Sequence, residues 1–345
     1  MKVQITSVAM GAMLLAGAGL FSTQAAAAEQ WSMATPWGGG PLLEIEAKGI
    51  GERITFLTGG EVKVQVFPGG TLGSPLKVTE TVRSQVAQMG HNWAGYDWGI
   101  DRTAVLFGGF AGSPGGTEGL HWYLKGGGIE LMKEWRKEKF DVEAIFCGIS
   151  PREIFLHSRK SVKTLADYKG MKVRTSGAWA EIAQTLGATT VILPGAEVYP
   201  ALERGVVDGI EWGSPSMNKA AGYAKIAKYV VVPGMHQPAG YHECSFSSEV
   251  WSKLSDRNKR MIELAGRDGG LNFWLDVGND DAADFAAYAT SGNQVDVLDD
   301  AFQQAAMDAS AAWAEKQAGK NAWFKRVWEH QKAYRKLWAT YGPYR

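Results

Sequence analysis

Between Trp31 and Gly213 short apolar runs alternate with amphipathic segments, and glycine-rich turns divide them. "WSMATPW" reads as a strand entering a turn, "LLEIEAKGIGERITFLTGG" as an amphipathic helix stopped by Gly59 and Gly60, and "EVKVQVFPGG" as a period-two strand closed by a Pro-Gly turn. The pattern continues through the helix "SPLKVTETVRSQVAQ", the strand "MGHNW", an aromatic and glycine-dense loop, the helix "GIELMKEWRKEKF" and the apolar strand "VEAIFCGI". A second series has strands at "EIFLHS", "MKVRTS", "TTVILP" and "GIEWG" with short helices between them, then strand-like runs in "AKYVVVPG" and "YHECSFSSEVW". Strands joined through helices form mainly parallel sheets with helices on their faces. From Ser255 onward the chain reads as almost wholly helical. The expected class is α/β: two lobes, followed by a long helical C-terminal region.

A leader precedes this ladder. Residues 1–28 hold Lys2, the run "VAMGAMLLAGAGLF" and the A-x-A ending "STQAAAAE", the marks of a secretory signal peptide cut near Glu29. The apolar run, about 14 residues, is shorter than the roughly 20 of a spanning helix, which predicts a soluble exported protein, and the Ala-rich leader points to a bacterial periplasm. About 317 residues remain, a length that suits two domains. The 36 basic and 36 acidic residues balance, so bulk charge selects neither nucleic acid nor a membrane surface. The 14 tryptophans and 11 tyrosines lack the basic stripe of a nucleic-acid platform. Cys147 and Cys244 would meet an oxidising compartment, which permits a disulfide without specifying one.

Evidence for catalysis is thin. The pieces "WGGGP", "GGFAGSPGG" and "KGGGIE" lack both the lysine ending of a phosphate loop and the dinucleotide spacing, and read as turns. "CGISPR" around Ser150 lacks the second glycine of a nucleophile elbow. His236 and His242 flank a Pro-Ala-Gly loop rather than forming a helical zinc pair. An exported hydrolase or lyase would draw on His242 and Glu243 with Ser150 or His236, yet no complete set of nucleophile, base and oxyanion donors is present. Recognition remains. Arg174 ends the strand-like "MKVRTS", where open α/β sheets present ligand-binding groups. There it would hold a carboxylate by two parallel hydrogen bonds, unless it is a surface arginine on an edge strand.

The segment "LADYKGMKVRTSGAWAEIAQTLGATTVILPGAEVYPALERGVVDGIEWGSP", with its core from Lys169 to Pro215, strongly resembles the periplasmic solute-binding proteins of TRAP (tripartite ATP-independent periplasmic) transporters, the DctP-like family. The likeness runs over essentially the whole mature chain. "WYLKGGGIELMKEW", "AKYVVVPGMHQP" and the Glu211-Trp212 pair are similar to the subgroup that binds 2-oxo or 2-hydroxy monocarboxylates. The resemblance implies a two-lobed periplasmic binding protein fold with hinge strands: residues 29–148 plus about 241–275 as lobe I, 149–240 as lobe II, and a helical region, 276–345, packing on both. It also implies a small organic acid as ligand, a TRAP membrane permease as partner and, for part of the subgroup, a homodimer through the C-terminal helices. A ligand sensor of the same fold would read lobe closure in the same way.

Residue by residue, Arg174 matches the arginine that pairs with the substrate carboxylate. Glu211 and the backbone carbonyl of Trp212 match metal ligands, for calcium or sodium, which a glutamine from the first hinge completes. Here that hinge reads "CGISPREIF", and Arg152 stands at the aligned place. Arginine repels a cation at close range, so a metal-free pocket is expected, with Glu211 held by Arg152 or by the ligand. Trp37 matches an aromatic that the subgroup places against the ligand, unless it caps the first helix; Glu243 matches a polar pocket position; and Tyr96 and Trp98, in the aromatic loop after "MGHNW", either form an apolar wall beside the acid's carbon chain or pack in the core. Trp179 either faces the cleft or stacks between helices. With Arg174→Ala, ligand binding should be lost while the fold stays intact.

Overall fold

The computed structural model describes residues 28–342, so the signal peptide expected over residues 1–28 lies, but for Ala28, outside them. The strands are β1 (Glu29–Ala34), β2 (Val62–Phe67), β3 (Met89–Trp93), β4 (Val142–Ser150), β5 (Leu156–Ser158), β6 (Lys172–Arg174), β7 (Thr189–Val191), β8 (Gly209–Ile210), β9 (Tyr229–Val232), β10 (Gly240–Ser247) and β11 (Gln294–Val297). They form two sheets, one in the order β2-β1-β3-β10-β4 and the other in the order β11-β9-β5-β8-β6-β7. β1 is parallel to β2 and β3, and β6 is parallel to β7 and β8, as the strand and helix alternation requires.

Two antiparallel strands join the sheets. β4 leaves the first sheet at Ser150 and β10 returns to it at Gly240, and these two residues pair across the ladder. All eight residues of β10 are buried, which explains why "GYHECSFS" lacks a clean polar face. A disulfide joins Cys147 of β4 to Cys244 of β10, with Cα atoms 5.5 Å apart.

A helix of 35 residues, Asp256–Thr290, starts at Ser255, whose side chain accepts from Asn258 N, and lies along β4. Its glycines make that approach possible. A Cβ on Gly270 would stand 2.5 Å from Gly148 Cα, and one on Gly266 would stand 2.7 Å from Phe146 O. The same helix also packs on the second-lobe helix Pro215–Ala220. β11 then adds a parallel edge strand to β9; the expectation of an almost wholly helical tail missed it. The helices Asp300–Ala318 and Ala322–Thr340 pack on each other. They also reach both lobes, at Trp179–Thr185 in the second and at Ala104–Gly108 and Gly116–Lys125 in the first. Among the described residues, no helix is long and apolar enough to cross a membrane.

Candidate ligand-binding site

The carboxyl ends of two parallel strands set the charged floor of the site. β6 ends at Arg174 and β8 pairs beside it, so the residue after β8, Glu211, donates its backbone N–H to Arg174 O at 3.2 Å. The Arg174 side chain is 1% exposed. Its Nε and Nη2 donate to Leu193 O at 3.2 and 2.9 Å, and its Nη1 donates to Glu211 O at 2.8 Å and to Glu211 Oε1 at 3.4 Å. The Trp212 ring lies 5.3 Å from the guanidinium carbon. These bonds commit four N–H groups, and the Tyr96 hydroxyl lies within hydrogen-bond reach of the same guanidinium. Arg174 is therefore not a fork free on both prongs, contrary to the two-bond grip expected from sequence. A buried guanidinium needs protein acceptors before any ligand arrives.

Glu211 also accepts from Ser176 N at 3.0 Å. Its second oxygen lies 3.9 Å from His236 Nε2, which in turn sits 3.1 Å from Glu153 Oε2. Burial alone would raise the Glu211 carboxyl, but the His236 ring and the Arg174 charge outweigh it and hold the group down at about 2. For Glu153, burial dominates over His236 and pushes the carboxyl up to about 8. Burial works to lower His236, but the two carboxylates overcome it and raise the imidazole to about 9. At neutral pH His236 is thus an imidazolium set between two acids.

The first lobe supplies the opposite wall. Trp37 follows β1 and donates from Nε1 to His91 Nδ1 at 2.8 Å. Trp93, at the end of β3, donates to Gly108 O at 2.7 Å and meets Tyr96 edge-on with ring centres 5.1 Å apart. Burial pushes the Tyr96 hydroxyl up to about 12 against the pull of Arg174, so it stays a neutral donor. Between these walls lies a cavity of about 50 Å³, lined from the first lobe by Trp37, Trp93, Tyr96 and His242, from the second by Arg174, Glu211, Trp212 and Trp179, and at the crossovers by Ser150, Glu153, His236 and Gln237.

Of the residues singled out in the sequence, Arg174, Glu211, Trp212, Trp37 and Tyr96 come together here. Arg152 does not. It is exposed and faces a separate cavity with Arg335 and Asp300. Successive residues after β4 bond to different neighbours, Glu153 N to Gln237 O and Ile154 N to Gly213 O, and it is Glu153, one place on, that enters the site. Glu243 is also elsewhere, for it lies on the face of β10 opposite His242. There it accepts from Arg136 Nε at 2.9 Å, while Arg136 Nη1 reaches Asp97 at 2.6 Å; a His242-Glu243 pair for catalysis is not formed. Trp98 stacks under Arg102, 4.4 Å from its guanidinium carbon, and does not line the cavity. The sequence reading passed over Glu153 and underrated His236 and His242. The signal was their place in the two crossover segments, where residues of both lobes converge.

Lobes that close over a buried guanidinium behind aromatic walls form a solute-binding protein. The chain belongs to the DctP family, described as bacterial extracellular solute-binding protein, family 7, which it matches over residues 33–321. A monocarboxylate 2-oxoacid-binding periplasmic protein of Nostoc sp. is 27% identical over 314 residues, covering 89% of this chain and 84% of its own. A TRAP periplasmic solute-binding protein of Pseudoalteromonas atlantica, solved with bound sodium and pyruvate, is 23% identical with a TM-score of 0.86, covering 92% of this chain and 97% of its own. A TRAP periplasmic solute-binding protein of Rhodobacter sphaeroides in an apo open form, also 23% identical, gives 0.67 over 90% of this chain and 99% of its own.

Proposed function

We propose that this chain captures a small 2-oxo monocarboxylate of about the size of pyruvate in the periplasm and delivers it to a TRAP membrane permease, acting as a receptor and not as an enzyme. The carrying observation is the buried Arg174 facing a cavity of about 50 Å³ between the lobes, room for a ligand of only a few heavy atoms. Arg174 supplies the charge complement to a carboxylate, and the neutral Tyr96 hydroxyl adds a hydrogen-bond donor. Trp37, Trp93 and Trp212 exclude water, which strengthens both contacts. Ligand contacts from both lobes favour the closed arrangement by their differential affinity for it.

Glu153, Glu211 and His236 each place one ligand atom within 4.8 Å of the others, the region to which the family resemblance assigns an ion. Calcium takes six to eight oxygen ligands. Here the His236 Nε2 stands 3.1 Å from Glu153 Oε2 and 3.9 Å from Glu211 Oε2. The three side chains could hold an ion only by giving up the His236 contacts to the two carboxylates, and the reading routes no step through one. Titration calorimetry with pyruvate, in sodium-free buffer with and without EDTA, tests both points. Binding should be unchanged by the chelator, and Arg174→Lys should weaken it by about tenfold to a hundredfold, the range of a hydrogen bond to a charged group. Loss of binding in EDTA would reinstate the ion, and no 2-oxo acid binding under either condition would reject the ligand class.

A further inference from the structure

The first-lobe wall holds a buried polar chain that the carboxylate grip leaves unused. Its first link is Trp37, whose indole nitrogen can only donate. Its bond to His91 Nδ1 therefore leaves Nδ1 without a proton and places the proton of a neutral His91 on Nε2. Burial and the nearby His242 hold His91 well below the usual histidine range, so the ring is neutral. His91 Nε2 faces Glu46 Oε2 at 3.4 Å, and Glu46 Oε1 lies 2.9 Å from His242 Nδ1. Glu46 and His91 are 0% exposed and His242 is 3% exposed. His242 Nε2 has no protein partner among the bonds of the described residues.

A buried pair with net charge is far costlier than a neutral one, so Glu46 and His242 together share one proton beyond the ring's own. With that proton on Nδ1, an imidazolium faces a carboxylate and Nε2 carries an N–H. With it on Glu46, the acid donates to Nδ1 and the neutral ring again carries its N–H on Nε2. The remaining arrangement, a neutral ring with its N–H on Nδ1, would put the acid O–H on Glu46 Oε2, 3.4 Å from the His91 N–H, donor against donor. Whichever atom holds the shared proton, Nε2 is a donor. It opens on the cavity beside Gly240. A Cβ on Gly240 would meet Ser150 Oγ at 2.5 Å, His242 Nε2 at 3.8 Å and Gln237 Nε2 at 3.9 Å. The Gln237 amide is already spent on Gly108 O and Ala239 O, at 2.9 and 2.8 Å.

We propose that His242 Nε2–H, presented by the first lobe, is the donor that reads the oxygen on carbon 2 of the captured acid while Arg174, on the second lobe, takes its carboxylate. This rests on the ligand class proposed above. Trp37, His91 and Glu46 are positioning residues, which keep the N–H aimed at the ligand. Ligands with an acceptor oxygen at carbon 2 are thereby separated from plain short-chain acids of equal length, and the contact ties the two lobes through one small molecule.

The test is calorimetry on the mature protein with two acids of equal carbon count, pyruvate and propionate, for the wild type and His242→Phe. Wild type should prefer pyruvate. His242→Phe should weaken pyruvate by about tenfold or more, the effect of losing one buried donor, and leave propionate within about threefold. Equal losses for the two acids would reduce His242 to a packing residue and overturn the inference, as would unchanged pyruvate affinity. Because the variant strands Glu46 and risks misfolding, nitrogen NMR of histidine-labelled wild type is the second readout. His242 Nε2 should stay protonated in the pyruvate complex, with its proton moved downfield relative to the propionate complex; a deprotonated Nε2 would also overturn it. A wild type that binds no 2-oxo acid would instead reject the ligand class itself.

Discussion

Arg174 is both a ligand group and part of the second lobe's frame, because its guanidinium holds Leu193 O and Glu211 O together. Arg174→Ala would take one partner from the buried Glu211, which keeps Ser176 N and His236, at a cost of up to about 3–5 kcal/mol, so Arg174→Lys is the cleaner probe of the ligand contact. The neighbouring trio sets the pH dependence of stability. His236 is raised from 6.5 to about 9, so its stabilisation is complete below about 6.5 and is lost as pH rises through about 9. Glu153, raised to about 8, disfavours the folded state in the same direction as it ionises. Glu211, lowered to about 2, stabilises above about 4.5 and loses that contribution as pH falls through about 2. Urea melts of the ligand-free protein should show stability falling between pH 7 and 9, with a shallower fall in Glu153→Gln; a flat profile over that range would mean His236 is not held as an imidazolium. Arg174 and Glu211 were legible because Arg174 ends β6 and Glu211 directly follows β8, both at the carboxyl ends of strands. Arg152 and Glu153 were not distinguishable, since the facing of neighbouring residues in an irregular crossover depends on which carbonyls the folded chain offers. Glu243 and His242 pose the same problem on β10, a strand buried on both faces.

At the scale of elements, the crossover pair β4 and β10 is fixed from two sides. The disulfide closes a loop of 97 residues, and the long helix lies on β4 through backbone contacts that only glycine allows. Gly270→Ala would push a methyl to within 2.5 Å of Gly148 Cα, and overpacking of this kind costs about 1–3 kcal/mol. Denaturant melts should show that loss; a neutral result would mean that the helix shifts on β4 without penalty. Most strands and helices were readable from period and turn residues. β11 was hidden because four alternating residues between two long helices carry little weight alone, and their strand character comes from the open edge of β9. The cysteine pairing was undetermined because the register that sets β4 beside β10 is a tertiary fact.

For the whole molecule, the cavity poses a question of entry, since Trp37 and Tyr96 wall it on one side and Arg174 and Trp212 on the other, and the proposed receptor role has a ligand enter as the lobes part. The disulfide keeps β4 and β10 from sliding past each other, so we propose that any opening is a rotation about the residues just beyond them, near Pro151 and Gln237–Ala239. The mouth of the cleft offers a direct handle on that motion. Gly38 follows β1 in the first lobe and Ala196 lies in the second-lobe helix Gly195–Glu203, and a Cβ on Gly38 would stand 3.9 Å from Ala196 Cβ, within the usual separation for a disulfide. Gly38 does not need a left-handed backbone, so cysteine fits there, and the native Cys147 and Cys244 are fully buried. A Gly38→Cys, Ala196→Cys protein should therefore crosslink across the cleft on oxidation. Oxidised before ligand is added, it should fail to take up pyruvate; oxidised afterwards, it should fail to release it; and reduction should restore exchange in both. Pyruvate exchange by the oxidised form at the wild-type rate would show that the ligand has another way in and that lobe closure does not gate the site.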